Sequence, residues 1–95
     1  MNVTAVNNQM AGLPQMRMKA MLMGTKLRTW LQGLNNDERG YFYNAAGDLF
    51  TYHNLPANIV PRLVNADIGS LEDFAEGVSG NMALYMYFAE LTYGI

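Results

Sequence analysis

The stretch over residues 40–56 restricts the fold of this 95-residue sequence more than any other. Two aromatic-rich runs, 41–44 and 49–53, flank the tetrapeptide Ala-Ala-Gly-Asp. Aromatic residues are enriched in strands, and glycine can take the positive φ that tight turns require. The pattern therefore predicts an antiparallel β-hairpin with Gly47 in its turn, which the chain leaves at Pro56.

The register of this hairpin determines which aromatic side chains share a face. If Asn44 pairs with Leu49, side-chain alternation and cross-strand pairing place four aromatic residues together. These four are Tyr41, Tyr43, Phe50 and Tyr52. Because an isolated hairpin is not stable in water, we expect this face to pack as core. The alternative is an exposed platform on which RNA bases stack.

Residues 14–34 have the apolar spacing of a helix, with Pro14 in its first turn. The apolar stripe consists of Met16, Ala20, Met23, Leu27, Trp30, Leu31 and Leu34. Gly24 weakens this prediction, since glycine inside a helix costs about 1 kcal/mol relative to alanine. Residues 14–23 also alternate in polarity, so a strand remains an alternative for that half.

Two or three shorter helices are predicted after residue 56. One begins near Asn58 and carries Pro61 in its first turn, unless the proline kinks a longer helix. Ser70, with an acid three residues later, is typical of an N-cap. Asn81 can cap a last helix over residues 81–93, where a strand is also open. The predicted fold class is α+β: a long N-terminal helix packed on an aromatic antiparallel β-hairpin, followed by two or three short helices.

Composition limits the domain organisation and the classes of function. Residues 1–12, polar and rich in Asn, are predicted as an N-terminal arm, and residues 13–95 as a single compact domain. The absence of cysteine excludes disulfides and cysteine-bound zinc. No stretch approaches a membrane span of roughly 18 apolar residues or resembles a secretory signal. We expect a cytoplasmic protein, and its compact, Cys-free, Asn-rich character suits a phage or viral protein in a host cytoplasm.

Charge is scarce and unevenly distributed. Only 15% of the residues are charged and 51% are apolar, a balance that favours self-association or a protein partner. Residues 1–36 contain four basic and no acidic residues, and residues 37–95 contain two basic and eight acidic ones, which accounts for the net charge of −2. The candidate partner-binding residues are Arg17, Lys19, Met21, Lys26, Arg28, Tyr41, Tyr43, Phe50, Tyr52 and His53. The basic ones could contact phosphates, which makes a small RNA-binding domain the alternative function, although a solvated face or pairing with the acidic half explains them more simply.

No catalytic or metal-binding motif is visible. Four methionines lie close together: Met16, Met18, Met21 and Met23. Their thioethers suit Cu(I), but on a helix they would point to several sides, and packing against a partner explains them better. His53 is the sole imidazole, and no serine stands where a nucleophile would, so we predict no enzyme, cofactor or metal. The predicted function is a non-enzymatic interaction or assembly module, acting as an oligomer or as a subunit of a larger complex.

The segment around the hairpin exit resembles a known family. Over residues 40–74 it is similar to the KTSC domain, a small module at the C-terminus of some lysyl-tRNA synthetases that also occurs free-standing in bacteria and phages. The residues that carry the resemblance are Gly47, Phe50, Tyr52, Leu55, Pro56, Leu63 and Ala66. The resemblance implies a hairpin followed by a short helix, and a binding module for which RNA is a proposed partner. It implies no catalytic residue.

Overall fold

Five helices make up most of residues 2–65 and 67–94, which the computed structural model describes, residues 2–13 through their backbone alone. They are α1 (Asn2–Gln32), α2 (Asn36–Tyr52), α3 (Ile59–Leu63), α4 (Ile68–Ser79) and α5 (Met82–Tyr93). No strand occurs in this part of the chain, so the predicted α+β class is wrong and the fold is all-α. Helix α1 packs against α4 and α5, and α3 packs between α2 and α4.

The stretch predicted as a hairpin is helix α2. Asn35 caps this helix by accepting a hydrogen bond from Glu38 N at 2.8 Å, while Glu38 Oε1 accepts one from Asn35 N at 3.0 Å. This capping box satisfies donors that the start of a helix leaves free. Gly47, the predicted turn residue, lies inside the helix and is buried close to the Ala57 carbonyl. Local capping and burial at helical spacing outweigh the strand preference of the aromatic residues.

Helix α2 separates the four aromatic side chains that a hairpin would have placed together. Tyr41 and Tyr52 are about three turns apart and both point into solvent. Phe50 is fully buried, and Tyr43 is half-buried against the core. The prediction that these four residues share one face is therefore wrong, because a period of 3.6 residues replaces a period of two.

The chain reverses after α2 and not within it. Asn54 takes a left-handed φ of 61°. Its N–H donates to Thr51 O at 3.0 Å, and Leu55 N donates to Phe50 O at 2.8 Å. This pair of bonds is a Schellman motif, in which the apolar residue after the left-handed one packs back on the helix. Leu55 accordingly packs against the core, and Pro56 follows where the helix cannot continue.

Helix α1 confirms the predicted N-terminal helix but begins earlier. Residues 2–13 continue it, so Pro14 lies inside the helix and not in its first turn. In the predicted apolar stripe, Ala20, Met23, Leu27 and Leu31 are fully buried, Met16 and Leu34 are half-buried, and Trp30 is partly exposed. The burial confirms the stripe except at Trp30, while the division into an arm and a domain stays a prediction.

Gly24 lies where α1 and α4 approach each other closely. A Cβ at this position would come within 2.9 Å of Phe74 Cδ2 and 3.0 Å of Leu71 Cδ2, closer than ordinary van der Waals contact. The glycine that weakens α1 as an isolated helix therefore permits the tight packing of two helices.

Three phenylalanine rings from three helices form the centre of the core. Phe50 of α2, Phe74 of α4 and Phe88 of α5 are fully buried, with ring centroids 5.2 to 6.5 Å apart. Such tilted and edge-to-face pairs contribute about 0.5–1.5 kcal/mol each beyond the burial of their area. Leu27 of α1 and Leu63 of α3 belong to the same cluster, so all five helices meet in one core.

Helices α3 and α5 begin where the sequence predicts. Asn58 precedes α3, and Pro61 lies in its first turn. Asn81 caps α5 by accepting a hydrogen bond from Leu84 N at 3.1 Å, so residues 81–93 are not a strand.

Helix α4 begins at a different residue from the predicted one. Asp67 is its cap, with Oδ1 accepting from Gly69 N at 3.0 Å. Ser70 lies inside the helix, fully buried, and its Oγ donates to the Asp67 carbonyl at 2.6 Å. The prediction of Ser70 as the N-cap is therefore wrong, because Asp67 offers the better acceptor three residues earlier.

Candidate protein-interaction surface

Helix α5 presents an apolar surface to solvent. Its twelve residues contain one charge, Glu90. The large apolar side chains that stay exposed on it are Met82, Met86, Tyr87, Leu91 and Tyr93, each between 38 and 66% exposed. At 100° per residue the first two and Tyr93 lie along one edge of its solvent-facing half, and Tyr87 and Leu91 lie along the other. These five side chains are called the α5 face below. A surface helix normally carries polar and charged residues on its outer side, so an outer side this poor in charge makes α5 a candidate interaction surface.

The α5 face is built on a packed base. The residues of α5 that lie in the core are Leu84, Phe88 and Ala89. Tyr87 packs edge to face on Phe88, with ring centroids 4.9 Å apart. From α1, Lys26 Nζ lies 4.7 Å from the centroid of the Tyr93 ring, a cation–π contact. Core packing and a neighbouring helix therefore position the exposed side chains.

Two of the predicted basic residues are engaged by their own chain. Arg17 Nη1 lies 3.5 Å from Glu76 Oε2 of α4. Arg28 donates hydrogen bonds to the main-chain carbonyls of Leu63 and Asp67. Both arginines thus fasten α1 to the α3–α4 region, and Arg17 does so through the predicted pairing with the acidic half.

The four basic residues do not form one surface. Arg17 and Arg28 are three turns apart, on the side of α1 that faces α4. Lys19 and Lys26 are two turns apart and lie about half a turn away from the arginines, and Lys26 points to α5. RNA binding stays a prediction, but the structure does not gather its four cations into one tract.

The predicted aromatic residues differ in their availability to a partner. Tyr41 and Tyr52 are 83 and 81% exposed. Phe50 is enclosed in the core. Burial raises the pKa of the Tyr43 phenol, and the positive charge of Arg39 partly opposes that rise. Of the four, Tyr41 and Tyr52 are the ones a partner can reach.

His53 links α2 to α5 at the edge of a groove of about 430 Å³. Asn81 Oδ1 accepts the Leu84 N–H, which fixes the orientation of the Asn81 amide. Asn81 Nδ2 then donates to His53 Nδ1 at 2.9 Å, so the imidazole carries its proton on Nε2. This contact gives His53 a structural role at the junction of two helices.

The carboxylates that line the His53 groove are paired with arginines. Asp73 Oδ2 lies 2.8 Å from Arg62 Nη1, and this hydrogen bond is the main cause of a raised Arg62 pKa. Glu76 is paired with Arg17. Among the described residues lining the groove, none is a nucleophile with an adjacent base. The absence of enzymatic activity stays a prediction.

The clustered methionines of α1, within residues 16–23, face different directions, as their spacing predicts. Met23 is fully buried, Met21 packs at the edge of the core, and Met18 is exposed. In residues 2–65 and 67–94 no three His, Asp or Glu side chains are close enough to hold a metal ion. Across the same residues no helix is both long and apolar enough to cross a membrane.

The sequence reasoning missed the α5 face. The apolar residues at helical spacing in this segment are Leu84, Tyr85, Phe88 and Leu91. Leu84 and Phe88 are buried, but Leu91 is exposed, and so are other large apolar side chains of α5. The sequence signal that could have revealed the α5 face is the single charge among the twelve residues of α5. A helix with apolar residues on all sides needs other protein surface packed against each side.

No family model matches the chain, and neither a curated protein nor a solved structure matches it. The resemblance to the KTSC domain stays a prediction. The residues that carry it lie in α2, in the following turn and in α3, apart from Ala66, which is outside the described residues. The hairpin that the resemblance implies is not formed.

Proposed function

We propose that the chain is a non-enzymatic interaction and assembly module, acting as an oligomer or as a subunit of a larger complex, with the α5 face as its binding surface. The observation that supports this proposal is the exposure of five large apolar side chains on a helix with one charge. Aromatic and methionine side chains with few charges are typical of the buried centre of protein interfaces.

The size of the α5 face sets the expected strength of self-association. Fully burying a side chain of this kind contributes about 1.5–3 kcal/mol, and these are already roughly half covered, which leaves about 1 kcal/mol each. A symmetric dimer buries the face of both copies, for roughly 10 kcal/mol, against at least about 4 kcal/mol for lost freedom. The balance of at most about 6 kcal/mol corresponds to a dissociation constant between about 40 µM and 1 mM.

The test is sedimentation velocity over a range of protein concentration. Met82→Glu combined with Met86→Glu should weaken self-association at least about tenfold, because it places two charges in an apolar contact. Met82 lies in the first turn of α5, where glutamate is favoured, and Met86 is exposed, so the variant should stay folded.

The control is Met18→Glu combined with Leu22→Glu on α1. These residues have the same spacing of four, are 67 and 62% exposed, and give the same change in net charge. The control should associate like the wild type. An equal loss in both variants, or a wild type that is monomeric at 1 mM and purifies without any partner, would contradict the proposal.

A further inference from the structure

Helix α2 carries one short pattern twice on its solvent side. Asp37 is followed four residues later by Tyr41, and Asp48 is followed four residues later by Tyr52. Eleven residues separate the two patterns, which in an α-helix is three turns with about 20° left over and roughly 16 Å along the axis. Both pairs therefore lie on one side of α2 in the same orientation. They are called the Asp–Tyr face below.

The side chains of the Asp–Tyr face point away from the rest of the described structure. Its tyrosines are the most exposed large apolar residues among those whose side chains the structure describes, at 83 and 81%. Asp37 and Asp48 are exposed too, and the ion pairs of the described residues are made by other carboxylates. The Tyr52 ring packs edge to face on its neighbour His53, which orients it.

Helix stability does not account for these four side chains. Asp37 lies in the first turn, where the macrodipole favours an acid. Asp48, however, lies in the helix interior, where aspartate is less favourable than alanine, glutamate or lysine. The tyrosines are also poorer helix formers than those residues, and their exposed rings gain little from burial. A costly pattern that recurs after three turns points to recognition.

An open, mostly apolar groove adjoins the first pair. It measures about 470 Å³ and is lined by Asp37, Glu38, Tyr41, Phe42 and Ala45. Carboxylates beside aromatic rings suit a long cationic side chain, whose stem lies on the ring while its head meets the carboxylate. The second pair repeats the carboxylate and the ring roughly 16 Å away.

We propose that the Asp–Tyr face binds a basic helical segment of a partner protein, with Arg or Lys side chains at positions i and i+11 of that segment. Charge selects this occupant, because carboxylates attract a guanidinium and repel the phosphates of nucleic acids and anionic lipids. Spacing selects the helical form, since cations eleven residues apart match the two pairs. The proposal uses a different helix from the α5 face and does not depend on self-association.

The probe is a fluorescent peptide of about 20 residues, rich in alanine and glutamine, with arginines at i and i+11. A second peptide of the same composition carries its arginines at i and i+9, on opposite sides of the helix. Anisotropy titrations at low salt give the Kd of each for the full chain. We expect the i, i+11 peptide to bind at least about fivefold more tightly, with the difference shrinking as salt screens the charges.

Two variants test the face without weakening the helix. Asp48→Ala and Tyr41→Ala each introduce a better helix former. Each should weaken binding of the i, i+11 peptide by about three- to tenfold. Glu90→Ala makes the same change in charge on α5 and should alter the Kd less than about twofold.

Equal affinity for the two peptides, or an equal loss in Glu90→Ala, would overturn the proposal in favour of general charge attraction. Tighter binding of single-stranded RNA than of the peptide would overturn it as well. The Met82→Glu and Met86→Glu variant should keep the wild-type Kd for the peptide. Loss of self-association and loss of peptide binding are therefore separate outcomes.

Discussion

Asn54 and Gly24 occupy backbone positions that most amino acids would fill poorly. Asn54 takes a left-handed φ, which asparagine tolerates because its short side chain can hydrogen-bond locally. Gly24 lacks the Cβ that would collide with a neighbouring helix. Neither residue buries a large surface. Each stabilises the fold through the backbone conformation or the close helix packing that it permits.

Gly24→Ala should destabilise the fold although alanine is the better helix former. The added Cβ gains about 1 kcal/mol of helix propensity but would lie 2.9 Å from the ring of Phe74, which is fully buried. Overpacking of this kind costs about 1–3 kcal/mol, so urea denaturation should show a net loss of up to about 2 kcal/mol.

Gly40→Ala is the matched control for Gly24→Ala. It lies within α2, and an added Cβ would meet nothing within 4 Å. We expect it to raise the free energy of unfolding by about 0.5–1 kcal/mol. If the two alanine variants are equally stable, α1 and α4 are not packed as tightly as the structure shows.

Asn54→Gly should preserve or raise stability, while Asn54→Ala should lower it. Glycine adopts the φ of 61° without strain, whereas the alanine Cβ costs roughly 1 kcal/mol there. Thermal unfolding followed by circular dichroism should rank Asn54→Ala lowest. Asn44→Ala, exposed inside α2, should not lower the Tm. An Asn54→Ala variant as stable as the wild type would deny the Schellman motif a stabilising role.

At the scale of elements, one side chain joins the end of α1 to the start of α2. Arg39 of α2 donates from Nε to Leu31 O at 3.0 Å and from Nη2 to Leu34 O at 2.7 Å. Carbonyls at the C-terminal end of a helix have no partners within the helix. Arg39 therefore closes α1 and sets the angle at which α2 leaves it.

Arg39→Lys should lower the free energy of unfolding by about 1–3 kcal/mol, because an ammonium cannot serve both carbonyls with the fork geometry of a guanidinium. Arg17→Lys, at an exposed ion pair with Glu72 and Glu76, should cost less than about 1 kcal/mol. Urea denaturation measures the free energy of unfolding of both variants, and because urea is uncharged it does not screen the ion pairs. If Arg39→Lys costs no more than Arg17→Lys, then Arg39 stabilises the fold through its positive charge alone.

Two sequence signals indicate helix, but in each place the residue composition favours a different prediction. Asn35 and Glu38 have capping-box spacing, which marks the start of α2, yet the aromatic runs that follow favour a strand. Val3, Val6, Met10 and Leu13 follow one another at intervals of three and four residues, the helical period, within a segment whose Asn content suggests an arm. In both places the prediction followed the residue composition and not the helical spacing of the capping or apolar residues.

At the scale of the whole molecule, the uneven charge of the sequence is partly neutralised by folding. Arg17 from the basic half meets Glu76, and Arg62 meets Asp73 at 2.8 Å. The acids of the Asp–Tyr face keep their charge directed outward. The molecule therefore offers two surfaces of different character, an apolar one on α5 and an acidic, aromatic one on α2.

The sequence by itself determined the features that depend on near neighbours. The apolar spacing of α1, the cap at Asn81 and the place of Pro61 in α3 follow from residues close together in the sequence. The capping box at Asn35 marks where α2 starts, but the tertiary structure decided that the helix continues through most of residues 40–56. An aromatic segment with a central glycine is compatible with the two-residue period of a strand and with the 3.6-residue period of a helix. Packing of Phe50 against its partners selects the helix. Those partners come from distant α4 and α5, and no local pattern specifies them.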